Sequence, residues 1–558
     1  MRIPELYKVQ ESFIKECKSV IQKSNIGIFS SPTGTGKTLS LLLSVVDYIS
    51  EDEDYDPLLE DIFGSSMSKT KIYFCSRTHS QLRQDLIKEE KCEFYKNDIF
   101  TKGVLDIEEL VKEGRRHHGC PYYFVKKYFK KCELVFLPYS VLFNEESRDN
   151  LKIDLQNSIV IVDEAHNIIE AVNSINTKII YFDDIEKYIL AFEKYSKILN
   201  KRSKNKENIL TLIEIFKNIL KYKNQESKII SVNTFLFDSN LLHYNMLDIE
   251  DALKKNNVLT KIESYGRFLN YKIYEIIKFL NLLVNSDTNC KIEISSTFLR
   301  IFPIDSKLYF EPFLDCQSVI FAGGTMEPIK HLKDIFSNRV VEYYFYDSIA
   351  TNFLGFIISQ INLNNFELTE KTRDTDLIRK GLRSIILELL ENIDKGGIVI
   401  FVPSKYYLEM IRTLIYPADN FYFENIHSFE DYKDNLVYGK CVLFAVMGGR
   451  LSEGMNFNDD LCRILVILGI PFPNLTNEIE EKIKYFGRDF YLQMAMKKIN
   501  QTIGRAIRHK KDYASIFLID FRYLKYKNEL SPWFRKKVRN SKFNDAVKDT
   551  KNFLNKFG

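Results

Sequence analysis

Ile26-Gly27-Ile28-Phe29-Ser30-Ser31-Pro32-Thr33-Gly34-Thr35-Gly36-Lys37-Thr38 decides the fold of this chain. The aliphatic run reads as a buried strand, the small residues after it as a loop, and the Leu-rich residues beyond Thr38 as a helix. Small residues let backbone N–H groups curl around phosphate oxygens, and the helix N-terminus adds the positive end of its dipole. Lys37 is placed to reach the β and γ phosphates of a nucleotide, and the Thr38 hydroxyl to bind Mg²⁺. Ser31 takes the place of the first glycine usual in such loops; Pro32, Thr33, Gly34, Thr35 and Gly36 complete the cradle.

Further along, Ile159-Val160-Ile161-Val162 runs into Asp163-Glu164-Ala165-His166. A strand ending in two carboxylates suits a metal partner and a water activator: Asp163 to hold Mg²⁺, Glu164 to polarise the attacking water. His166 is read as the coupling residue to a second lobe. Near the C-terminus, Gln501, Arg505 and Arg508 are spaced i, i+4, i+7, which predicts one face of a helix. Planar guanidinium groups suit a γ-phosphate whose charge is spread over several oxygens.

Outward from these motifs, short runs rich in Ile, Val and Phe predict buried parallel strands. One set is Ile26–Phe29, Ile72–Cys75, Leu134–Leu137, Ile159–Val162 and Val319–Ala322; the other is Ile398–Val402, Val442–Val446, Ile464–Leu468 and Ile516–Ile519. Two α/β sheets are expected, with ATP between them. From Tyr139 to Phe302 there is no proline, and Ile185, Tyr188, Ile189, Phe192, then Ile209, Leu212, Ile213, Phe216, then Ile273, Ile276, Ile277, Leu280 recur at helical spacing. That region predicts a mostly helical insertion. The 558 residues allow about three to four units of ordinary size. Net charge is only +4, so a nucleic-acid surface must come from local clusters. Nine cysteines without regular short spacing exclude a secreted disulfide framework. No signal or membrane-spanning run is visible, and a soluble intracellular protein is expected.

Together these segments resemble superfamily 2 helicases, specifically the XPD-like DNA helicases with a DEAH box. Cys75-Ser76-Arg77-Thr78-His79-Ser80-Gln81 is similar to the family's segment Ia, Gly323-Gly324-Thr325-Met326-Glu327-Pro328 to segment III, and Gly448 to Phe457, with Gly454, to segment V. Gln10 fits the adenine-recognising glutamine. Cys120-Pro121-Tyr122-Tyr123, Pro471-Phe472-Pro473-Asn474 and Ile503 to Asp512 resemble most the chromosome-loss branch, linked to sister-chromatid cohesion and mutated in Warsaw breakage syndrome. The resemblance implies two RecA-like lobes, 5′→3′ unwinding of single-stranded and forked DNA, replication or cohesion partners, a nuclear location and no membrane; a monomer is expected. It divides the chain into lobe 1 at 1–85, 134–173 and 289–335, a reduced iron–sulfur-type insertion at 86–133, a helical arch at 174–288 and lobe 2 at 336–558.

The family's 4Fe–4S cluster needs four cysteine thiolates in that insertion. Between Gln81 and Asp163 there are three, Cys92, Cys120 and Cys132. By resemblance Cys120 matches the last ligand and Cys92 the third; the first two are missing. Cys132 reads as a core cysteine and Cys75 has no matching ligand role, so a subdomain without metal, held by packing, is expected. The segment Arg115 to Lys131 carries six Lys/Arg, interleaved with five aromatics and no acid. Cations follow phosphates while aromatic faces stack on bases, which suits a single strand; an amphipathic helix with a solvated basic face is the alternative. Arg77, Arg115, Arg116, Tyr122, Tyr123, Lys126 and Lys127 are the candidate DNA contacts. An RNA-remodelling ATPase and a non-catalytic scaffold stay open beside the DNA helicase. The Cys-Pro-Tyr-Tyr match speaks against the first, and the intact Lys37, Thr38, Asp163, Glu164, Arg505 and Arg508 against the second.

Overall fold

The computed structural model describes residues 6–32, 34–51, 70–76, 116, 132–199, 204–245, 272–285, 289–392, 396–415, 420–424, 426–449, 451, 455 and 457–557. The chain divides into two compact units: Met1–Ile168 with Glu311–Pro473 and Tyr491–Gly558, and Ile169–Phe310 with Asn474–Phe490.

The first unit holds two parallel sheets, the two RecA-like lobes. One sheet has six strands, in the order Val341–Phe345, Ile26–Ser30, Ser318–Gly323, Ile159–Val162, Ile72–Ser76, Leu134–Pro138. Ile26–Ser30, Ser318–Gly323 and Ile159–Val162 are buried at every position, as interior parallel strands must be. Phe13, Cys17, Val20 and Ile21 of the Lys8–Gln22 helix share a core with Phe29, Leu41, Val45 and Phe74. Each such side chain stabilises the lobe by roughly 1.5–3 kcal/mol relative to exposure. The other sheet has seven strands, in the order Phe421–Phe423, Cys441–Val446, Gly397–Val402, Ile464–Leu468, Tyr513–Ile519, Asn352–Ile358, Val538–Asn540. Strand alternation sorts its faces. Ile398, Ile400 and Val402 pack with the Asp376–Asn392, Lys405–Leu414 and Phe543–Leu554 helices, while Val399 and Phe401 share the opposite core with Met496, Ile499 and Ile503.

All nine strands predicted for the two lobes are present, but the sheets extend further than the aliphatic runs. Val341–Phe345 pairs with Ile26–Ser30, so the first sheet reaches past residue 335 to Phe345. Its sequence, Val-Glu-Tyr-Tyr-Phe, is half-buried along its length at the sheet edge and lacks the all-apolar signal. Leu134–Pro138 is the opposite edge, where only Leu137 is buried. Cys132, expected in the core, is exposed because it precedes that edge strand.

In the second unit every residue of the three helical patterns is buried in one core. They lie on the helices Phe182–Ile198, Lys204–Leu220 and Lys272–Asn285. The unit is not only helical. Lys178–Tyr181, Phe298–Pro303, Cys290–Ile294 and Lys228–Ser231 form a four-stranded antiparallel sheet. Alternate residues of Cys290–Ile294 enter the core, the period-2 pattern of a one-sided strand. The unit therefore runs to Phe310 rather than ending at 288, and it takes in Asn474–Phe490 from the part of the chain assigned to lobe 2. Among the described residues no helix is long and apolar enough to cross a membrane.

Candidate functional site

The strand Ile26–Ser30 ends in the predicted loop, and the helix Lys37–Glu51 follows it. Gly34 and Gly36 have φ of +87° and +75°, a region that a side chain disfavours. Ser31, in the place of a glycine, closes the loop with side-chain bonds instead. Its hydroxyl and that of Thr35 lie 2.7 Å apart, Thr35 Oγ1 donates to the Pro32 carbonyl at 2.8 Å, and Ser31 N–H donates to the Gly323 carbonyl at 2.9 Å. Gln10 is buried against the loop: a Cβ on Gly36 would lie 2.3 Å from its Nε2, while its Oε1 accepts from Tyr7 N–H at 2.9 Å. Thr33 and Gly454 lie outside the described residues.

Across from the loop, Asp163 and Glu164 follow the Ile159–Val162 strand. Thr38 Oγ1 donates to Asp163 Oδ2 at 2.6 Å, so hydroxyl and carboxylate already converge on one point. That oxygen pair is a donor set suited to a hard divalent cation. The Tyr139 hydroxyl donates to the Asp163 carbonyl and fixes the strand end. Burial raises the Asp163 carboxyl above the ordinary value, with Glu164 adding to it and the Thr38 bond and Lys37 opposing. Glu164 sits in a left-handed turn at φ 52°, which aims it back at the loop. Lys37 Nζ lies 3.8 Å from Glu164 Oε1, and His166 Nδ1 lies 3.1 Å from Oε2. Burial pushes the Glu164 carboxyl up, but the His166 hydrogen bond and the charges of Lys37, His166 and Arg505 together bring it down to about 2.

The second lobe reaches the same point. Gln501 Nε2 donates to Asn167 Oδ1 at 3.3 Å, next to His166. The charge of Arg505 helps to lower the Glu164 carboxyl, and Glu164 in turn favours the charged form of Arg508. The two arginines do not lie on the predicted helix face, because the Arg488–Ile503 helix stops at Ile503. Gly504 makes the last i−4 bond, then Arg505 and Ala506 N–H turn to the Thr502 and Ile503 carbonyls, tightening the chain out of the helix. Burial, then repulsion from Arg505, lowers the Arg508 guanidinium to about 10, still cationic at neutral pH. A Cβ on Gly34 would lie 1.8 Å from the Arg508 carbonyl oxygen. Gly34→Ala is accordingly expected to displace the Arg508 turn and slow ATP turnover by about 10-fold or more, since small misplacements of reacting groups are costly. Steady-state hydrolysis checks this, and unchanged turnover would show that the two loops part without consequence.

Asn167, Tyr139 and Gly323 were not among the predicted site residues. Asn167 directly follows the DEAH box, and Gly323 approaches it: a Cβ there would lie 3.4 Å from His166 N. Of the candidate nucleic-acid contacts, Arg116 is exposed, and Arg77, Arg115, Tyr122, Tyr123, Lys126 and Lys127 lie outside the described residues, as do Cys92 and Cys120.

Two parallel-sheet lobes, one carrying the phosphate loop and carboxylate pair and the other the arginines, define a two-lobed nucleotide site of the superfamily 2 helicase kind. Models of two domain families match: DEAD_2 over residues 87–185 and the helicase C-terminal domain over 386–537. An ATP-dependent DNA helicase CHL1 from Debaryomyces hansenii is 30% identical over 570 residues, covering 87% of this chain and 67% of that protein. The protein of the same name from Vanderwaltozyma polyspora is 32% identical over 515 residues, covering 80% of this chain and 61% of that one. Among solved structures, an XPD helicase superposes with a TM-score of 0.60 at 18% identity over 97% of this chain and 100% of that one, and Xpd4 of S. tokodaii with 0.56 at 18% identity over 96% and 100%. The chain belongs to the CHL1 family of XPD-like helicases. It spans about three fifths to two thirds of the length of the curated relatives it matches.

Proposed function

We propose that this chain is an ATP-dependent DNA helicase that couples hydrolysis between its lobes to movement along a single strand. The observation that carries this reading is the meeting of Lys37 and His166 at the Glu164 carboxylate, beside the Thr38–Asp163 pair, with the charge of Arg505 from the other lobe felt there. Lys37 holds the β and γ phosphates, and Thr38 and Asp163 hold Mg²⁺. The metal, when bound, neutralises phosphate charge and orients the leaving group. Glu164 polarises the attacking water and His166 orients Glu164. Arg505 and Arg508 stabilise the charge that develops on the transferred phosphoryl group. Gln501, through Asn167, links the lobes beside that carboxylate. Gln10 recognises the base. The family supports 5′→3′ polarity, single-stranded and forked DNA as partners, and work in chromosome cohesion, replication or repair in the nucleus. Stimulation of ATP hydrolysis by single-stranded DNA, set against single-stranded RNA of the same length, tests the proposal. DNA stimulation supports it; stimulation by RNA alone would make the chain an RNA-remodelling ATPase, and no hydrolysis would make it a scaffold.

The helicase is proposed to work without an iron–sulfur cluster. Only Cys92 and Cys120 match cluster ligands, and two thiolates do not complete a four-cysteine site. Cys75 does not supply a third, since it is fully buried in its strand and burial pushes its thiol far above the ordinary range. The purified protein is expected to lack the near-400 nm absorption of such a centre, and Cys120→Ser to cost little unwinding activity. About four irons per chain after anaerobic purification, lost with unwinding in Cys120→Ser, would overturn this.

A further inference from the structure

Asp512 is fully buried, and its carboxylate bonds two backbone N–H groups of one turn and a guanidinium from outside it. Oδ1 accepts from Tyr513 N–H at 2.9 Å and from Arg463 Nη1 at 3.1 Å; Oδ2 accepts from Arg508 N–H at 3.0 Å. The Asp512 N–H donates to the His509 carbonyl at 2.9 Å. A single carboxylate thus closes the turn from Arg508 to Tyr513, in the segment that joins the Arg488–Ile503 helix to the Tyr513–Ile519 strand.

A buried carboxylate is costly unless it is paired and its lone pairs are used. Arg463 supplies the pairing. It is itself buried, its guanidinium carbon lies 3.8 Å from the centroid of the Tyr513 ring, and it also donates to Asp460 at 2.9 and 3.0 Å and to the Tyr513 carbonyl at 3.0 Å. Its planar fork suits that set of acceptors better than a lysine would.

As a loop latch alone, this network would explain folding. Two features tie it to the nucleotide site. The bond from Oδ2 lands on the backbone of Arg508 itself, and the carbonyl of the same residue abuts the phosphate loop at Gly34. With its N–H pinned on one side and its carbonyl seated on the other, Arg508 has the direction of its side chain set by its backbone.

We propose that Asp512, held by Arg463, is a positioning residue that fixes the Arg508 backbone so that the guanidinium meets the reacting phosphate. Neither residue touches the nucleotide; both act through Arg508. The inference rests on the ATPase reading given above.

A double-mutant cycle tests it, with hydrolysis followed in single turnover at saturating ATP and single-stranded DNA, alongside thermal unfolding of each variant. Asp512→Asn is expected to lower the hydrolysis rate about 10-fold and to leave the KM for ATP within about twofold. In an Arg508→Ala background the same change should alter the rate by less than about twofold, because nothing remains to be positioned. Arg463→Lys keeps the charge but gives up the fork, and should show a smaller loss with the same dependence on Arg508. If Asp512→Asn unfolds early, Arg463→Lys carries the test. Equal losses with and without Arg508 would overturn the proposal and leave the pair as a fold latch. A parent chain that hydrolyses no ATP would instead overturn the underlying ATPase reading.

Discussion

Glu164→Gln is expected to lower ATP turnover at saturation by at least about 10²-fold, and Lys37→Ala to abolish it, with both proteins folded. The glutamine keeps the volume of the side chain and removes only its charge. Glu164 faces Lys37 at 3.8 Å and His166 at 3.1 Å, so losing that charge leaves the loop cation and the imidazole without their shared partner. The side chain is still about a third exposed, and screening by water keeps the stability cost of breaking the pair within about 1 kcal/mol. The sign of the electrostatics also predicts the pH behaviour. A carboxyl brought down to about 2 is ionised throughout the working range and loses its charge only as pH falls through that value. It is therefore a weak base, suited to orienting and polarising water. Steady-state hydrolysis, with melting curves for each variant, checks the prediction. Near-parental turnover in either folded variant would sink the assignment of these two residues.

The nucleotide half of lobe 1 was legible because its signals are local. Lys37 and Thr38 follow a strand and open a helix within a dozen residues, and Asp163 and Glu164 end an all-apolar run; the structure returns both strands. Every residue that period alone picked out on the three helices of the second unit is in its core, though that core also takes in residues such as Phe182, Ile215 and Phe279. What was lost depended on distant pairing. Val341–Phe345 becomes a strand only because Ile26–Ser30 is there to hydrogen-bond it, and its half-buried edge position removes the apolar pattern that would announce it. The antiparallel sheet of the second unit escaped for a similar reason, since a strand such as Lys178–Tyr181, with one buried residue, carries almost no signal of its own. The arginine spacing misled in a different way. Residues at i, i+4 and i+7 share a helix face only while the helix lasts, and here the side chains converge by way of a turn beyond Ile503. Asn167 was invisible because its relevance depends on Gln501, which lies in the other lobe.

Arg508→Ala is expected to slow the hydrolytic step by about 10³-fold while changing ATP affinity by only a few fold. On the proposed reading, Lys37, Thr38 and the loop amides belong to lobe 1 and bind the phosphates whether or not the arginine is present. Arg508 comes from lobe 2, so its contribution grows as charge shifts onto the phosphoryl oxygens, and an interaction of that kind appears in the rate rather than in binding. Its surroundings favour the role. The guanidinium lies close enough to Arg505 to be repelled and to Glu164 to be attracted, and even at about 10 it remains charged at neutral pH. Arg508→Lys should recover little, because a point charge on a flexible stem does not reproduce a planar fork. Titration with a fluorescent ATP analogue gives the affinity, and single-turnover hydrolysis gives the rate. If affinity collapses and the saturated rate stays at the parental value, Arg508 is a binding residue, and the stabilising charge must come from Arg505, its neighbour on the same turn.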